Sequence, residues 1–143
     1  MLLGEYEHTL DDKNRLTLPA KFRRDFEDGC VVSRGLDGCL SVWPREGWAN
    51  YEKSTLSTLN LLSREGRQLH RYFFSGATET APDRQGRVVI PPALLSHAKL
   101  EREVVIAGAN DHLEIWDRDA WRRELSEVEG SAEDAAERLA QRS

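Results

Sequence analysis

The sequence contains two similar stretches, Leu10-Asp11-Asp12-Lys13-Asn14-Arg15-Leu16-Thr17-Leu18-Pro19 and Pro82-Asp83-Arg84-Gln85-Gly86-Arg87-Val88-Val89-Ile90-Pro91, which align residue by residue. The offset between the copies is 72 residues here and 73 further on, where Leu40-Ser41-Val42-Trp43 corresponds to Leu113-Glu114-Ile115-Trp116. A solenoid repeat is shorter, typically about 20–50 residues. The duplication therefore predicts two small modules related by a pseudo-twofold axis.

Each copy is predicted to form a short strand, a tight turn and a return strand that ends at a proline. Asn14 and Gly86 occupy equivalent turn positions, and these two residue types best tolerate a positive φ. Asp11 and Asp83 stand three residues earlier, where a carboxylate can accept hydrogen bonds from the backbone N–H groups of the turn. These features predict a tight hairpin in each copy and require no function to explain them.

The return strands differ in their apolar patterns. Leu16 and Leu18 alternate with Thr17, which predicts a strand that is buried on one face. The run Val88-Val89-Ile90 is continuously apolar, which predicts burial on both faces of the second return strand.

The rest of the sequence predicts helices around these strands and a second hairpin in each copy. Short helices follow Pro19 and Pro91, a helix follows Pro44, and another spans about Ser63 to Phe73. The expected division is a first module over residues 1–53, a helical linker over 54–73, a second module over 74–121 and an acidic, helical or frayed tail over 122–143.

Composition excludes several classes of protein. The net charge of −5 argues against a protein that coats nucleic acid by bulk attraction, although residues 13–24 carry five basic side chains and no acid. No segment is apolar and long enough to span a membrane, and the N-terminus is unlike a signal peptide, so we expect a cytoplasmic protein. Cys30 and Cys39 give no disulfide framework and are expected to be buried thiols.

The sequence predicts neither a metal site nor an enzymatic active site. The four histidines are scattered without partners at ligand spacing, so we expect no metal. A nucleophile–base pair and a phosphate loop are both missing from the sequence, so we expect no cofactor and no enzymatic activity. The paired tryptophans Trp43, Trp48, Trp116 and Trp121 fit core packing better than stacking on bases.

The candidate binding residues lie at the two turns. Arg15 and Arg87 follow the turns and can either pair with the nearby aspartates or contact phosphate and base edges through a rigidly held guanidinium. Lys13 and Arg84 lie at or beside the turn tips, where two basic points at a fixed spacing would match phosphates on a duplex.

Other residues are predicted to play smaller parts. Asn14 and Gln85 could read base edges, although turn geometry alone already accounts for Asn14. Lys21, Arg23 and Arg24 flank the helix after Pro19 and are predicted as secondary DNA contacts. The second copy has Ala93, Leu95 and Ser96 at these positions, so we expect the first copy to contribute more binding energy.

Several stretches resemble the MraZ family, which belongs to the SpoVT/AbrB-like superfamily. They are the segment from Gly4 to Ala20, Arg34-Gly35-Leu36-Asp37-Gly38-Cys39-Leu40, Phe74-Ser75-Gly76-Ala77 and the segment from Asp83 to Pro92. The likeness covers about Met1 to Trp121. It implies an α+β fold of two tandem, β-hairpin-rich SpoVT/AbrB-like half-barrel modules, related by pseudo-twofold symmetry and flanked by short helices.

The resemblance also implies a function. Members of the family form ring-shaped homo-oligomers and bind double-stranded DNA at direct repeats upstream of their own operon, in the division and cell wall gene cluster, mainly as repressors. By that likeness the Asp-x-x-x-Arg motif faces DNA, which assigns Asp11, Arg15, Asp83 and Arg87, and the protein associates with the nucleoid. Asn14 departs from the glycine usual in the family.

Two other functions remain open at this point. An antitoxin-like module would use its acidic tail to bind a partner protein, although such antitoxins usually carry a single hairpin module. An enzyme acting on a phosphorylated substrate would use the repeated Asp and Arg residues. The operator sequence, the number of subunits and an effector are not determined by the sequence.

Overall fold

The computed structural model describes residues 1–142, and the chain forms strands and helices over most of that range. The strands are β1 (Glu5–Thr9), β2 (Arg15–Thr17), β3 (Cys30–Arg34), β4 (Leu40–Pro44), β5 (Thr78–Thr80), β6 (Arg87–Val89), β7 (Glu103–Gly108) and β8 (Leu113–Asp117). The α-helices are α1 (Arg45–Ser54), α2 (Arg64–Ser75), α3 (Pro92–His97) and α4 (Arg118–Gln141), with 3-10 helices at Ala20–Phe26 and Leu56–Thr58. The α+β class is therefore as predicted.

The two copies of the repeat share one sheet. Its strand order is β1-β7-β8-β4-β3-β5, and β2 and β6 form a separate two-stranded ribbon. Four pairings join a strand of one copy to a strand of the other, namely β1 with β7, β5 with β3, β2 with β6 and β4 with β8. The halves therefore interleave, and the residue division into tandem half-barrel modules stays a prediction.

The predicted first hairpin of each copy is wrong in its pairing. The turn forms as expected, but the strand before it runs along β7 or β3 in the other copy, and the strand after it joins the ribbon. Leu10, for example, donates its N–H to the carbonyl oxygen of Arg102 at 2.8 Å. The physical reason is that one copy is too small to bury its own apolar strand faces, and interleaving buries both sets.

The strand register is symmetric about a pseudo-twofold axis. In the ribbon, Leu16 lies opposite Val88, which is its equivalent at the 72-residue offset. In the large sheet, Ser41 lies opposite Glu114, its equivalent at the 73-residue offset. The axis therefore passes through the middle of the ribbon and through the central strand pair β4–β8.

The core lies between the large sheet and the ribbon. Leu16, Leu18 and Val88 are at most 1% exposed and belong to the same apolar cluster as the sheet residues. Val89, in contrast, is 54% exposed, so the prediction that the second return strand is buried on both faces is wrong. Val89 corresponds to Thr17, and both belong to the outer face of the ribbon.

Several local predictions are confirmed. The second hairpins form as β3–β4 and β7–β8. The helix after Pro19 is a 3-10 helix that buries Phe22 and Phe26. Cys30 and Cys39 are buried free thiols, and burial raises their pKa values to about 11 and about 12.

The last helix is longer than the sequence indicated. α4 is one continuous helix of 24 residues that runs across the expected boundary at residue 122. Asp117 caps its N-terminus, because its carboxylate accepts the N–H of Ala120 at 3.0 Å. Among the helices of residues 1–142, none is both long and apolar enough to cross a membrane.

Candidate nucleic-acid interface

The two predicted turns have the same geometry. In the first, the N–H of Asn14 donates to the carbonyl oxygen of Asp11 at 3.0 Å, and Asn14 has a φ of 58°. In the second, the N–H of Gly86 donates to the carbonyl oxygen of Asp83 at 2.9 Å, and Gly86 has a φ of 77°. The predicted left-handed residue is therefore present in both turns.

An aspartate organises each turn through three hydrogen bonds. Oδ1 of Asp11 accepts the backbone N–H groups of Lys13 and Arg15, each at 2.9 Å, while Oδ2 accepts Nε of Arg15 at 2.6 Å. Asp83 repeats this arrangement with the N–H groups of Gln85 and Arg87 at 2.9 Å and Nε of Arg87 at 2.7 Å. The ion pair that the sequence suggested between aspartate and arginine is therefore present in each turn, and it fixes the direction of the guanidinium.

These hydrogen bonds favour the charged form of both carboxyl groups. The backbone N–H of Arg15 is the largest influence that lowers the pKa of Asp11, and the backbone N–H of Arg87 does the same for Asp83. Partial removal of each carboxylate from water acts in the opposite direction and is outweighed. Both turns are therefore held by an ionised aspartate at neutral pH.

The turns are locked to each other across the axis. The carbonyl oxygen of Asn14 accepts the N–H of Ile90 at 3.0 Å, and the carbonyl oxygen of Gly86 accepts the N–H of Leu18 at 2.9 Å. Each turn is thus hydrogen-bonded to the return strand of the other copy. This pairing gives the two turns a fixed relative position.

Arg15 and Arg87 share one face of the ribbon. Arg15 lies opposite Val89, and Arg87 lies opposite Thr17, so the two arginines are diagonal neighbours in an antiparallel pair. Diagonal neighbours are about 7–8 Å apart. The alternate residues Leu16 and Val88 are buried, which turns both arginines outward. The structure therefore brings the two predicted arginines together.

The guanidinium groups keep part of their hydrogen-bonding capacity. Their side chains are 25% exposed for Arg15 and 28% for Arg87. The aspartates use Nε, and within residues 1–142 the terminal Nη atoms of either arginine have no hydrogen-bond acceptor. A guanidinium held by one edge and open at the other is a suitable donor to a phosphate or a guanine. The ion pair and the binding role are thus compatible.

Lys13 and Arg84, which the sequence places at or beside the turn tips, are exposed to solvent, and so are Asn14 and Gln85. Lys13 and Arg84 therefore place two more exposed basic groups in the turns that lead into the ribbon.

Arg23 occupies a place that the sequence did not predict. A side-chain carbon built on Gly86 would clash with Nε of Arg23, so the guanidinium of Arg23 covers the second turn. Arg23 belongs to the first copy and therefore contacts the turn of the other copy. The sequence clue to this contact is that the second copy has Gly86 where the first copy has Asn14. Glycine has no side chain and therefore leaves room for Arg23.

The other two secondary candidates lie outside this contact. Lys21 is exposed, with Nζ 5.0 Å from the ring centre of Tyr6, a cation–π distance. Arg24 is exposed at the end of the 3-10 helix, and no described contact ties it to either turn. Within residues 1–142, the structure contains no group of three or more His, Cys, Asp or Glu residues that could hold a metal ion.

Comparison with known proteins identifies the family. The family model described as "MraZ protein, putative antitoxin-like" matches the chain twice, over residues 1–71 and 73–143. The two matches begin 72 residues apart, which is the offset of the internal duplication. "Transcriptional regulator MraZ" of Moorella thermoacetica is 43% identical over 139 residues, covering 97% of this chain and 96% of the relative.

Two further relatives agree with this result. "Transcriptional regulator MraZ" of Roseiflexus castenholzii is 46% identical, covering 99% of this chain and 98% of the relative. The protein of the same name from Thermoanaerobacter pseudethanolicus is 42% identical, covering 97% and 96%. The duplication, the paired turns and these matches over the whole chain lead to one conclusion: the chain belongs to the MraZ family.

Proposed function

We propose that the chain is a sequence-specific DNA-binding transcriptional regulator whose DNA-facing surface is the outer face of the β2–β6 ribbon. The observation that carries the proposal is the pair Arg15 and Arg87, set diagonally on one face and each held by an aspartate through Nε. Its relatives carry the name of transcriptional regulators. Lys13, Arg84 and Arg23 add positive charge beside the pair.

The division of labour on this face follows from geometry. The two arginines have a fixed direction and can donate two parallel hydrogen bonds to a guanine or a phosphate. Lys13 and Arg84 lie on exposed tips and suit phosphates, which position a protein without reading sequence. Asn14 and Gln85 serve as amide contacts, and Lys21 and Arg24 as outer phosphate contacts.

We further propose the context that the family likeness implies. The protein acts as a ring-shaped homo-oligomer on direct repeats upstream of its own operon in the division and cell wall cluster, as a repressor, in the cytoplasm at the nucleoid. A ring offsets the unfavourable net charge of −5, because weak basic faces gain affinity when several bind together. The acidic body then disfavours non-specific binding.

The test compares Arg15→Ala/Arg87→Ala with the control Arg45→Ala/Arg123→Ala, in which Arg45 forms an exposed ion pair with Glu79 and Arg123 is an exposed residue near the start of α4. Both variants lose the same charge. Binding to DNA from upstream of the gene is measured by fluorescence anisotropy over a range of salt concentrations.

The ribbon variant is expected to fold and assemble normally and to lose at least about tenfold in affinity, whereas the control retains binding. If both arginines contact phosphate, their removal makes the negative slope of log affinity against log salt concentration less steep by about 1.8. If they contact bases, the slope changes little and discrimination between operator and random DNA is lost. A folded ribbon variant that binds its operator as the wild type does contradicts the proposal.

A second candidate is an antitoxin-like interaction module, because the matching family description contains that term and α4 exposes an acidic surface. It requires a stoichiometric protein partner that binds through α4. Recovery of such a partner, together with unchanged DNA binding in the ribbon variant, would favour this candidate over DNA recognition by the ribbon.

A further inference from the structure

α4 extends away from the rest of the molecule. From Ser126 to Arg142 every residue is exposed except Ala135, which is half-buried. The ion pairs that tie α4 to the sheet come from Arg118 and Arg122 near its start. The extension from Ser126 to Gln141 is about 24 Å long at 1.5 Å per residue.

An apolar stripe begins near the start of α4 and continues along this extension. The stripe residues follow one another at alternating intervals of four and three, which is the spacing of a helix seam that packs on a partner, and they are Trp121, Leu125, Val128, Ala132, Ala135 and Leu139. Val128 is 47% exposed. An isolated helix of this length is marginal in water, and Gly130 weakens it further. The stripe therefore indicates a packing partner.

Charge decides what that partner can be. Residues 124–137 contain six acidic side chains and no basic one. Pairing α4 with α4 of a second copy would bring two such segments side by side, and like charges at an interface are unfavourable. The partner surface should instead be apolar with a basic border.

The same chain carries a surface of that kind around α2. A groove of about 180 Å³ is lined by Glu52 of α1, by His70 and Phe74 of α2, and by four residues of the segment between the two helices, Leu56, Ser57, Leu59 and Leu61. Leu61 is 49% exposed, and Leu62 and Leu69, which are not part of the lining, are 92% and 42% exposed. Residues 52–71 carry two acids, Glu52 and Glu65, and four bases, Lys53, Arg64, Arg67 and Arg71. We call this surface the basic groove.

We propose that α4 of one copy docks along its apolar stripe into the basic groove of a second copy. The inference deepens the proposed function, since it rests on the proposal that the protein acts as a homo-oligomer. Because the two surfaces are different, every copy offers α4 to one neighbour and the basic groove to another. A contact of this head-to-tail kind generates a closed ring when the rotation closes.

The experiment is a charge exchange between the two surfaces of the full-length protein. One variant, Glu129→Lys/Glu133→Lys, reverses two charges on α4, and the other, Arg64→Glu/Arg71→Glu, reverses two in the basic groove. The control, Glu27→Lys/Asp28→Lys, changes two exposed acids at the end of the first 3-10 helix. Mass is measured by sedimentation velocity at about 0.1 M salt, where charge pairs still act over about 10 Å.

Each exchange variant alone is expected to shift to smaller species, with association at least tenfold weaker, while the control keeps the wild-type mass. An equimolar mixture of the two variants recovers the large assembly, because the lysines introduced on α4 then face the glutamates introduced in the basic groove, and the unchanged α4 faces the unchanged groove. Val128→Asp also lowers the mass, and Val128→Leu keeps it, which tests the apolar stripe independently.

Three results overturn the inference. They are a monomeric wild-type protein, an assembly whose mass neither exchange lowers, and a mixture that does not recover. None of these results decides the outcome of the Arg15→Ala/Arg87→Ala experiment, because that experiment measures DNA affinity. If ribbon replacement leaves DNA binding unchanged while charge exchange abolishes assembly, the DNA-facing surface is wrong and the subunit contact stands.

Discussion

Val88 and Val89 offer a matched pair of substitutions on one strand. Val88 is 1% exposed and lies opposite Leu16 on the inner side of the ribbon. Val89 is 54% exposed and lies opposite Arg15 on the outer side. Replacing either with alanine removes the same two methyl groups from neighbouring positions. The orientation of the ribbon therefore predicts opposite consequences for stability and binding.

The cost of Val88→Ala follows from burial. Two buried methyl groups contribute about 1.6 kcal/mol of transfer free energy, and the cavity left between the ribbon and the sheet raises the total to about 2–3 kcal/mol. For a chain of this size, each kcal/mol lowers Tm by about 2–4 °C, which gives a fall of about 4–12 °C. Val89→Ala changes stability by less than about 0.5 kcal/mol, because the side chain is already in water.

Urea unfolding and thermal melts at one protein concentration measure both variants, since assembly makes Tm depend on concentration. Anisotropy on operator DNA provides the second measurement. Val89→Ala is expected to weaken DNA binding without loss of stability, because Val89 lies beside Arg15 on the proposed interface. Equal destabilisation by the two substitutions, or a larger loss from Val89→Ala, would refute the assignment of inner and outer faces.

Two further predictions concern the turns. Gly86→Asn should keep the turn, as Asn14 does at the equivalent position, but displace Arg23 and weaken DNA binding, whereas Gly86→Val should cost about 1–2 kcal/mol because a β-branched residue is strained at positive φ. Melts and anisotropy distinguish these outcomes, and unchanged binding by Gly86→Asn would exclude a role for Arg23. The lowered pKa values of Asp11 and Asp83 contribute stability that is complete well above their usual pKa of 3.8 and is lost as the pH falls through the lower folded-state values. Urea unfolding from about pH 5 to about pH 2.5 should show a shallower decline in the Asp11→Asn/Asp83→Asn variant, and identical slopes would contradict the turn geometry.

Local features were predictable because their causes are local. The positive φ of Asn14 and Gly86, the bonds from Asp11 and Asp83, and the second hairpins all depend on residues within a few positions of one another. The duplication was visible as sequence similarity at an offset of 72 or 73 residues. These features alone placed Arg15 and Arg87 at the candidate site.

The pairing of strands was not predictable in the same way. Whether β1 pairs with β2 or with β7 depends on the burial of distant apolar faces, and the residues between them satisfy both arrangements until packing decides. The exposure of Val89 could have been predicted from its alignment with Thr17, which is a stronger guide than the apolar run. The contact of Arg23 with Gly86 joins positions 63 residues apart and required the interleaved fold.

Interleaving two copies within one chain allows the symmetric face to acquire a direction. An intertwined dimer of identical chains would place the same side chains on both sides of its axis, and such proteins match inverted repeats. Here Arg23 covers the turn at Gly86, whereas the equivalent position on the other side is Leu95. The two ends of the ribbon face therefore differ from each other. Successive copies can lie on DNA in the same orientation, which is the arrangement that direct repeats require.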